Sequence, residues 1–204
     1  MRAKSINVLL LGSAVCLAGV AAGCGGDLLR QDRSPVSLVI ESLGGASGAS
    51  GNATTFSGTL QSDVVTLVDD SPKIFSDSGQ VTMRFIMKDT LTTPSAMNAV
   101  TINRYRVTFR RSDGRNTPGV DVPFPFDSAV TFTIAPGGAV TQGFELIRHV
   151  AKMEAPLAAL GLPGNPVTIS TVADITFFGH DLAGNELSAS GSLGIQFGNF
   201  ADPD

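Results

Sequence analysis

Hydrophobic and polar side chains alternate along much of the chain after residue 36. Residues 81–88 have one apolar and one polar face: Val81, Met83, Phe85 and Met87 against Thr82, Arg84 and Lys88. Residues 101–110 repeat the pattern, with Tyr105, Val107 and Phe109 opposite Arg104, Arg106, Thr108 and Arg110. A period of two is typical of strands with one buried face. The same reasoning predicts strands at 37–43, 130–134, 139–149, 167–179 and 187–197.

Turn-forming residues separate the predicted strands. Residues 136–138 (PGG) end one alternating run, and 181–186 (DLAGNE) supply the glycine and asparagine that a tight hairpin turn requires. Residues 44–52 (GGASGASGN) predict a flexible loop. Many short strands with such breaks predict an all-β chain, as one antiparallel β-sandwich domain of about eight or nine strands over residues 36–200.

Two segments depart from the strand pattern. Three prolines in 117–127 predict a crossover loop or an edge strand, with Phe124 and Phe126 tucked beneath it. Residues 154–160 have the one helical pattern, and Pro156 allows only a short helix there.

The first 24 residues have the pattern of an export signal. Arg2 and Lys4 precede an apolar stretch at 6–20, and small residues lead to Cys24. The stretch is shorter than the roughly 20 apolar residues of a membrane-spanning helix. An ordinary secretory signal with a chance cysteine is the alternative interpretation.

The run Val20-Ala21-Ala22-Gly23-Cys24 resembles the lipobox of bacterial lipoproteins. The resemblance implies a signal peptide at 1–23, fatty acylation of Cys24, and a flexible tether at 24–35. The resemblance also implies export to the outer membrane, on either its periplasmic or its surface face, because no aspartate directly follows Cys24.

Charge and cysteine content exclude some functions. Loss of Arg2 and Lys4 from the 14 basic residues leaves 12, against 18 acidic ones, which argues against general nucleic-acid binding. Cys16 would leave with the signal, and lipidation would consume the thiol of Cys24. The remaining chain could then form no internal disulfide and no thiol-based site.

The C-terminal stretch ITFFGHDLAGNELSASGSLGIQF is similar to the last hairpin of bacterial immunoglobulin-like modules. Its turn has the pattern D-x-A-G-N, formed by Asp181, Ala183, Gly184 and Asn185. The resemblance implies an immunoglobulin-like sandwich. The chain departs from antibody domains because it has no tryptophan and no cysteine pair for the core.

Two groups of polar residues are candidate sites. Asp181, Asn185 and Glu186 place oxygen atoms around one turn and could contribute to a calcium site, as could an acidic cluster of Asp69, Asp70 and Asp77. Turn chemistry alone also explains them, and no cofactor is otherwise expected. The two histidines, His149 and His180, lie in no recognisable catalytic motif.

An arginine row is the sharpest surface feature. Arg104, Arg106 and Arg110 project from one face of one predicted strand, and Arg111 and Arg115 follow. Alternate residues lie about 6.6 Å apart, and arginine suits bidentate contact with phosphate or carboxylate. The row could bind lipid phosphates or an acidic partner. The alternative interpretation is a solvated face paired with aspartate and glutamate on neighbouring strands.

The sequence as a whole predicts a non-enzymatic, lipid-anchored envelope protein. It would act as a structural or protein-interaction module, with the membrane and an unidentified envelope protein as partners. A carrier with a cleft of phenylalanine and methionine for a small hydrophobic ligand is the alternative. An envelope hydrolase is a third.

Overall fold

The computed structural model of the protein describes residues 33–50, 55–162 and 167–200. Ten strands dominate these ranges: β1 (Val36–Ala46), β2 (Thr59–Asp63), β3 (Thr66–Val68), β4 (Ser71–Lys73), β5 (Asp77–Met87), β6 (Val100–Arg110), β7 (Phe126–Ile134), β8 (Ala139–Ile147), β9 (Ile169–Asp181) and β10 (Glu186–Gly198). Their helices are α1 (His149–Met153) and three short 3₁₀ helices at Gly48–Ser50, Ala96–Asn98 and Leu157–Gly161. None of these helices has the length and apolar content to cross a membrane.

The strands form two main sheets and one small hairpin. The five-stranded sheet has the order β2-β10-β9-β6-β7, the three-stranded sheet has the order β1-β5-β8, and β3 pairs with β4. Neighbouring strands are antiparallel except β2 and β10, which are parallel. The described chain is therefore mostly β, as an all-β sandwich requires. It has ten strands where eight or nine were predicted. Strands β2, β3 and β4 have no clear alternation of apolar and polar residues, so the sequence pattern did not identify them.

One core joins the two main sheets. The rings of Tyr105 (β6) and Phe144 (β8) have centroids 5.1 Å apart, and those of Phe144 and Phe177 (β9) are 5.3 Å apart. The Tyr105 hydroxyl also donates a hydrogen bond to the Glu145 carbonyl at 2.9 Å. Burial of each such side chain contributes about 1.5–3 kcal/mol, so this aromatic contact is a major source of cohesion between the sheets.

The alternating patterns gave the correct inward faces. Val81, Met83 and Phe85 are buried in β5, and Tyr105, Val107 and Phe109 are buried in β6. The predicted return strand at 139–149 ends earlier, at Ile147, because α1 begins at His149.

The prediction of a flexible loop from residue 44 was wrong for its first three residues. Strand β1 continues to Ala46, and Gly45 bridges to Ser57 with hydrogen bonds of 2.9 and 3.0 Å. A Cβ atom on Gly45 would lie 2.9 Å from the Leu193 side chain and 3.0 Å from that of Leu146. Here glycine allows close packing of the sheets. Residues 51–54 of the predicted loop lie outside the described residues.

Two further predictions need correction. The helical segment expected at 154–160 is split, because α1 ends at Met153 and the 3₁₀ helix Leu157–Gly161 follows Pro156. Phe124 is 48% exposed rather than tucked inside, whereas Phe126 is buried as the first residue of edge strand β7. A spacing of two residues would place both side chains on the same face of a strand. Phe124 lies before β7 begins, so the spacing does not apply to it.

Strand register places the first described residues at one end of the two-sheet body. Val36 of β1 pairs with Met87 of β5, and the Pro35 carbonyl accepts a hydrogen bond from the Lys88 amide at 2.8 Å. In the other sheet, Val100 of β6 pairs with Asp181 of β9. We call this end of the body the N-terminal end. Strands β8 and β2 finish at the opposite end, where they are followed by α1 and by the β3–β4 hairpin. The predicted signal (1–23) and most of the predicted tether (24–35) lie outside the described residues.

Candidate functional site

The arginine row lies on the outer face of the five-stranded sheet. Because β6 is extended, Arg104, Arg106 and Arg110 point away from the core, while Tyr105 and Phe109 point into it. Strand β6 has β7 on one side and β9 on the other, and both neighbours contribute aspartates to this face. We call this set of Arg104, Arg106, Arg110, Asp127 and Asp174 the arginine face.

Asp127 of β7 binds two arginines. Arg104 Nη1 donates to Asp127 Oδ1 at 2.9 Å. Arg106 makes a bidentate contact, with Nη2 2.7 Å from Asp127 Oδ2 and Nε 3.1 Å from Asp127 Oδ1. The hydrogen bond from Arg106 holds the pKa of Asp127 below its usual value, with further help from Arg104. The carboxylate therefore stays charged under mildly acidic conditions.

Asp174 of β9 binds the third arginine. Arg110 Nε lies 2.6 Å from Asp174 Oδ2, and the Ser192 hydroxyl of β10 donates to Asp174 Oδ1 at 2.6 Å. Burial alone would raise the pKa of Asp174, but hydrogen bonds from Arg110 and Ser192 outweigh burial and lower it. The contact links three adjacent strands through charged and hydroxyl groups.

The row continues into the loop after β6. Asp113 Oδ2 lies 2.6 Å from Arg111 Nη2 and 3.1 Å from Arg115 Nε. The hydrogen bond from Arg111 is the main reason that the pKa of Asp113 is lowered. Five arginines of the face and loop thus share three aspartates. These eight residues alone carry two more positive than negative charges, and the whole chain has a formal net charge of −4.

A shallow cavity of about 330 Å³ adjoins the arginine face. The Arg104 guanidinium lies 4.0 Å from the centroid of the Phe178 ring, and His180 and Glu186 also line the cavity. A bulge between Ile102 and Arg104 shapes this region of the sheet. The cavity therefore presents a cation, an imidazole and a carboxylate beside an aromatic ring.

The predicted turn residues are engaged with one another. Asp181 Oδ1 accepts hydrogen bonds from the Ala183 and Asn185 amides at 2.9 Å each, and Oδ2 accepts one from Asn185 Nδ2 at 2.9 Å. Burial would raise the pKa of Asp181, but the contacts with Asn185, Ser34 and Ala183 lower it. Turn chemistry accounts for Asp181 and Asn185, and Glu186 is only partly buried. Calcium binding here stays a prediction.

The other acidic cluster that the sequence suggested is divided by the fold. Asp69 and Asp70 occupy the turn of the β3–β4 hairpin with φ angles of 51° and 56°, whereas Asp77 is buried at the start of β5. Within the described ranges, no three histidine, cysteine, aspartate or glutamate side chains come together as a metal-binding group. Both histidines, His149 and His180, are exposed.

Sequence reasoning missed a buried ion pair. Lys152 Nζ of α1 lies 2.8 Å from Asp77 Oδ1 and 2.7 Å from the Asp63 carbonyl, and both charged side chains are 0% exposed. Asp77 also accepts hydrogen bonds from the Ser62 hydroxyl and the Gly48 amide. The sequence does contain a signal for the burial of Asp77. If the alternation of β5 is extended back from Val81 by four residues, Asp77 falls on the inward face. No signal identifies Lys152 as its partner.

The fold and the arginine face define a class of molecule: a mostly β domain with an ordered, polar sheet face on which arginines and aspartates pair. No protein family model, curated protein or solved structure matches the chain.

Proposed function

We propose that the chain is a lipid-anchored protein of the bacterial outer membrane that acts as a non-enzymatic interaction module. The row of three arginines that share two aspartates on the arginine face is the observation that carries this proposal. It favours an acidic partner, and an envelope protein with exposed carboxylates is the class that fits best. An immunoglobulin-like sandwich is the finer fold that we propose, supported by the mostly β architecture and the Asp181–Asn185 turn.

The arrangement of the arginines suits a protein partner. Bidentate pairs hold the guanidinium groups in place, which reduces the side-chain entropy lost on binding. Arg104 and Arg106 share Asp127, so a carboxylate from a partner could bind the pair without competing for every donor. Electrostatic attraction of this kind mainly raises the association rate and selects partners.

Affinity capture from bacterial envelopes tests the binding part of the proposal. The triple variant R104Q/R106Q/R110Q should lose an acidic partner that the unchanged chain captures after cross-linking. R84Q is the matched control, because Arg84 is an exposed arginine of the other sheet that pairs with Glu41. Equal recovery of every captured protein by the triple variant and by R84Q would overturn the assignment of this face.

The lipid anchor needs a separate test. The Cys24→Ser variant should lose labelling by an alkyne fatty acid and should leave the membrane fraction in a high-salt wash. Retention of this variant in washed membranes would contradict anchoring through Cys24.

The carrier alternative gains no specific support. A ligand between the sheets would have to separate Tyr105, Phe144 and Phe177, whose rings lie in mutual contact. Native mass spectrometry of the purified protein would reveal a retained small molecule if the chain were such a carrier.

A further inference from the structure

Among the exposed apolar side chains of the described residues, three lie in loops at the N-terminal end of the body, and others lie at the opposite end. Leu91 is 93% exposed and Met97 is 67% exposed, both in the loop between β5 and β6. Leu182, in the turn between β9 and β10, is 56% exposed. We call these three residues the apolar rim. Leu91 is the most exposed large hydrophobic side chain in the described part of the chain.

Hydrogen bonds within the β5–β6 loop hold Leu91 and Met97 outward. The Leu91 amide donates to Asp89 Oδ1 at 2.9 Å, and the Thr92 hydroxyl donates to the Asp89 carbonyl at 2.8 Å. Farther along, the Ser95 amide donates to Asn98 Oδ1 at 2.8 Å at the start of the short 3₁₀ helix that contains Met97. The loop therefore has a defined shape that presents apolar groups to the surroundings.

The chain leads from this same end toward Cys24. Ser34 is buried and hydrogen-bonds to Asp181 beside the β9–β10 turn, and Pro35 bonds to Lys88 at the start of the β5–β6 loop. Eight residues separate Arg33 from Cys24. At about 3.3 Å per extended residue, they reach no more than roughly 30 Å. A bilayer that holds Cys24 must therefore lie within roughly 30 Å of this end of the body.

The composition of the loop suits a lipid surface. Residues 90–98 (TLTTPSAMN) contain no charged side chain. Exposed leucine and methionine among hydroxyl groups can enter the headgroup boundary without burying a charge. Apolar contact at the headgroup boundary adds to the binding that the lipid on Cys24 provides.

We propose that the apolar rim contacts the bilayer that holds Cys24 and inserts Leu91 and Met97 into its interfacial region. This inference rests on the proposed lipid anchor. The body then stands with its N-terminal end on the membrane, so that the opposite end faces outward and the arginine face is directed sideways. Because the contact is apolar, it requires no anionic lipid.

Site-directed fluorescence on the full lipidated chain tests this arrangement. The variants Leu91→Cys and Val120→Cys each carry a polarity-sensitive dye and are reconstituted into phosphatidylcholine vesicles. Val120 is the matched control, because it is 67% exposed in the loop at the opposite end. We expect a severalfold rise in emission and quenching by brominated lipid at position 91, with no change at position 120.

A second comparison checks that the rim causes the contact. The variant L91S/M97S should remain vesicle-bound through Cys24, but a dye on Leu182→Cys should then report a more aqueous environment. The opposite-end variant V120S/M153S should leave that dye unchanged. An anchored protein whose position 91 stays in water, or whose positions 91 and 120 respond alike, would overturn the proposed contact. Failure of the lipid anchor is separate, because the protein would not sediment with the vesicles at all.

Discussion

Two sets of ion pairs in this molecule use the same chemistry in opposite settings. Arg110 and Asp174 lie on the arginine face with side chains 55% and 32% exposed, whereas Lys152 and Asp77 are both 0% exposed. Their shortest N–O distances, 2.6 and 2.8 Å, are almost equal. Distance alone therefore does not indicate how strongly the fold depends on a pair.

The surroundings explain the difference. On the arginine face, water can solvate either partner when the contact opens, so each pair contributes little to stability. At Lys152, loss of the contact leaves a charge in the interior, which costs far more than the pair itself contributes. The buried pair also joins α1 to β5, and Asp77 binds Ser62 of β2 and the Gly48 amide. We infer that the buried pair fixes the structure and that the exposed pairs leave side chains available for a partner.

Removal of one buried charge should have the largest effect. We expect Lys152→Met to lower the free energy of unfolding by about 3–5 kcal/mol, because the Asp77 carboxylate loses its counter-charge in the interior. Urea denaturation followed by circular dichroism measures the change. Arg84→Gln, which breaks the exposed pair with Glu41, is the control. A Lys152→Met protein as stable as that control would show that the interior pair is dispensable.

Loss of a neutral neighbour of the buried pair should have an intermediate effect. Ser62→Ala removes the hydroxyl that donates to Asp77 Oδ2 and leaves both charges in place. Since hydrogen bonds to charged groups contribute about 1.5–3 kcal/mol, we expect a loss within that range. The same urea experiment measures it, with Ser190→Ala as a control on the exposed face of β10. If the two serine variants unfolded at the same urea concentration, the network around Asp77 would be less tightly coupled than we infer.

The sequence predicted the faces of strands better than their partners. Alternation identified Tyr105 and Val107 as inward residues and Arg104 and Arg106 as outward ones, because a local period of two determines side-chain direction. It could not pair Asp77 with Lys152, which lie 75 residues apart and meet only through the packing of α1 against the sheets. Nor could it identify Asp127 and Asp174 as the partners of the arginines, because strand order decides those contacts.

Amino-acid composition gave a wrong prediction at residues 44–46, where the packing of the two sheets decides the structure. Gly44 and Gly45 suggested a flexible loop, but glycine at 45 serves close contact between sheets. The exposed Leu91 and Met97 gave no sequence signal, since single apolar residues in a polar loop are common. The proposed membrane contact depends on the position of these two residues beside Ser34 and Pro35, and only the folded structure reveals that position.

The exposed pairs should show the smallest effect, and it should depend on pH. The lowered pKa values of Asp127 and Asp174 mean that the folded state favours their charged forms. Their stabilising effect is present above the unfolded-state pKa of about 3.9 and is lost as the pH falls through the lower folded-state value. Near neutral pH, we expect Asp174→Asn to shift the urea midpoint only slightly, because its partner Arg110 remains solvated. Below about pH 4 the midpoint of the unchanged chain should fall further than that of the variant. Parallel decreases in the two proteins would show that the pair with Arg110 makes no contribution to acid sensitivity, and would sharpen the contrast with the buried Lys152–Asp77 pair.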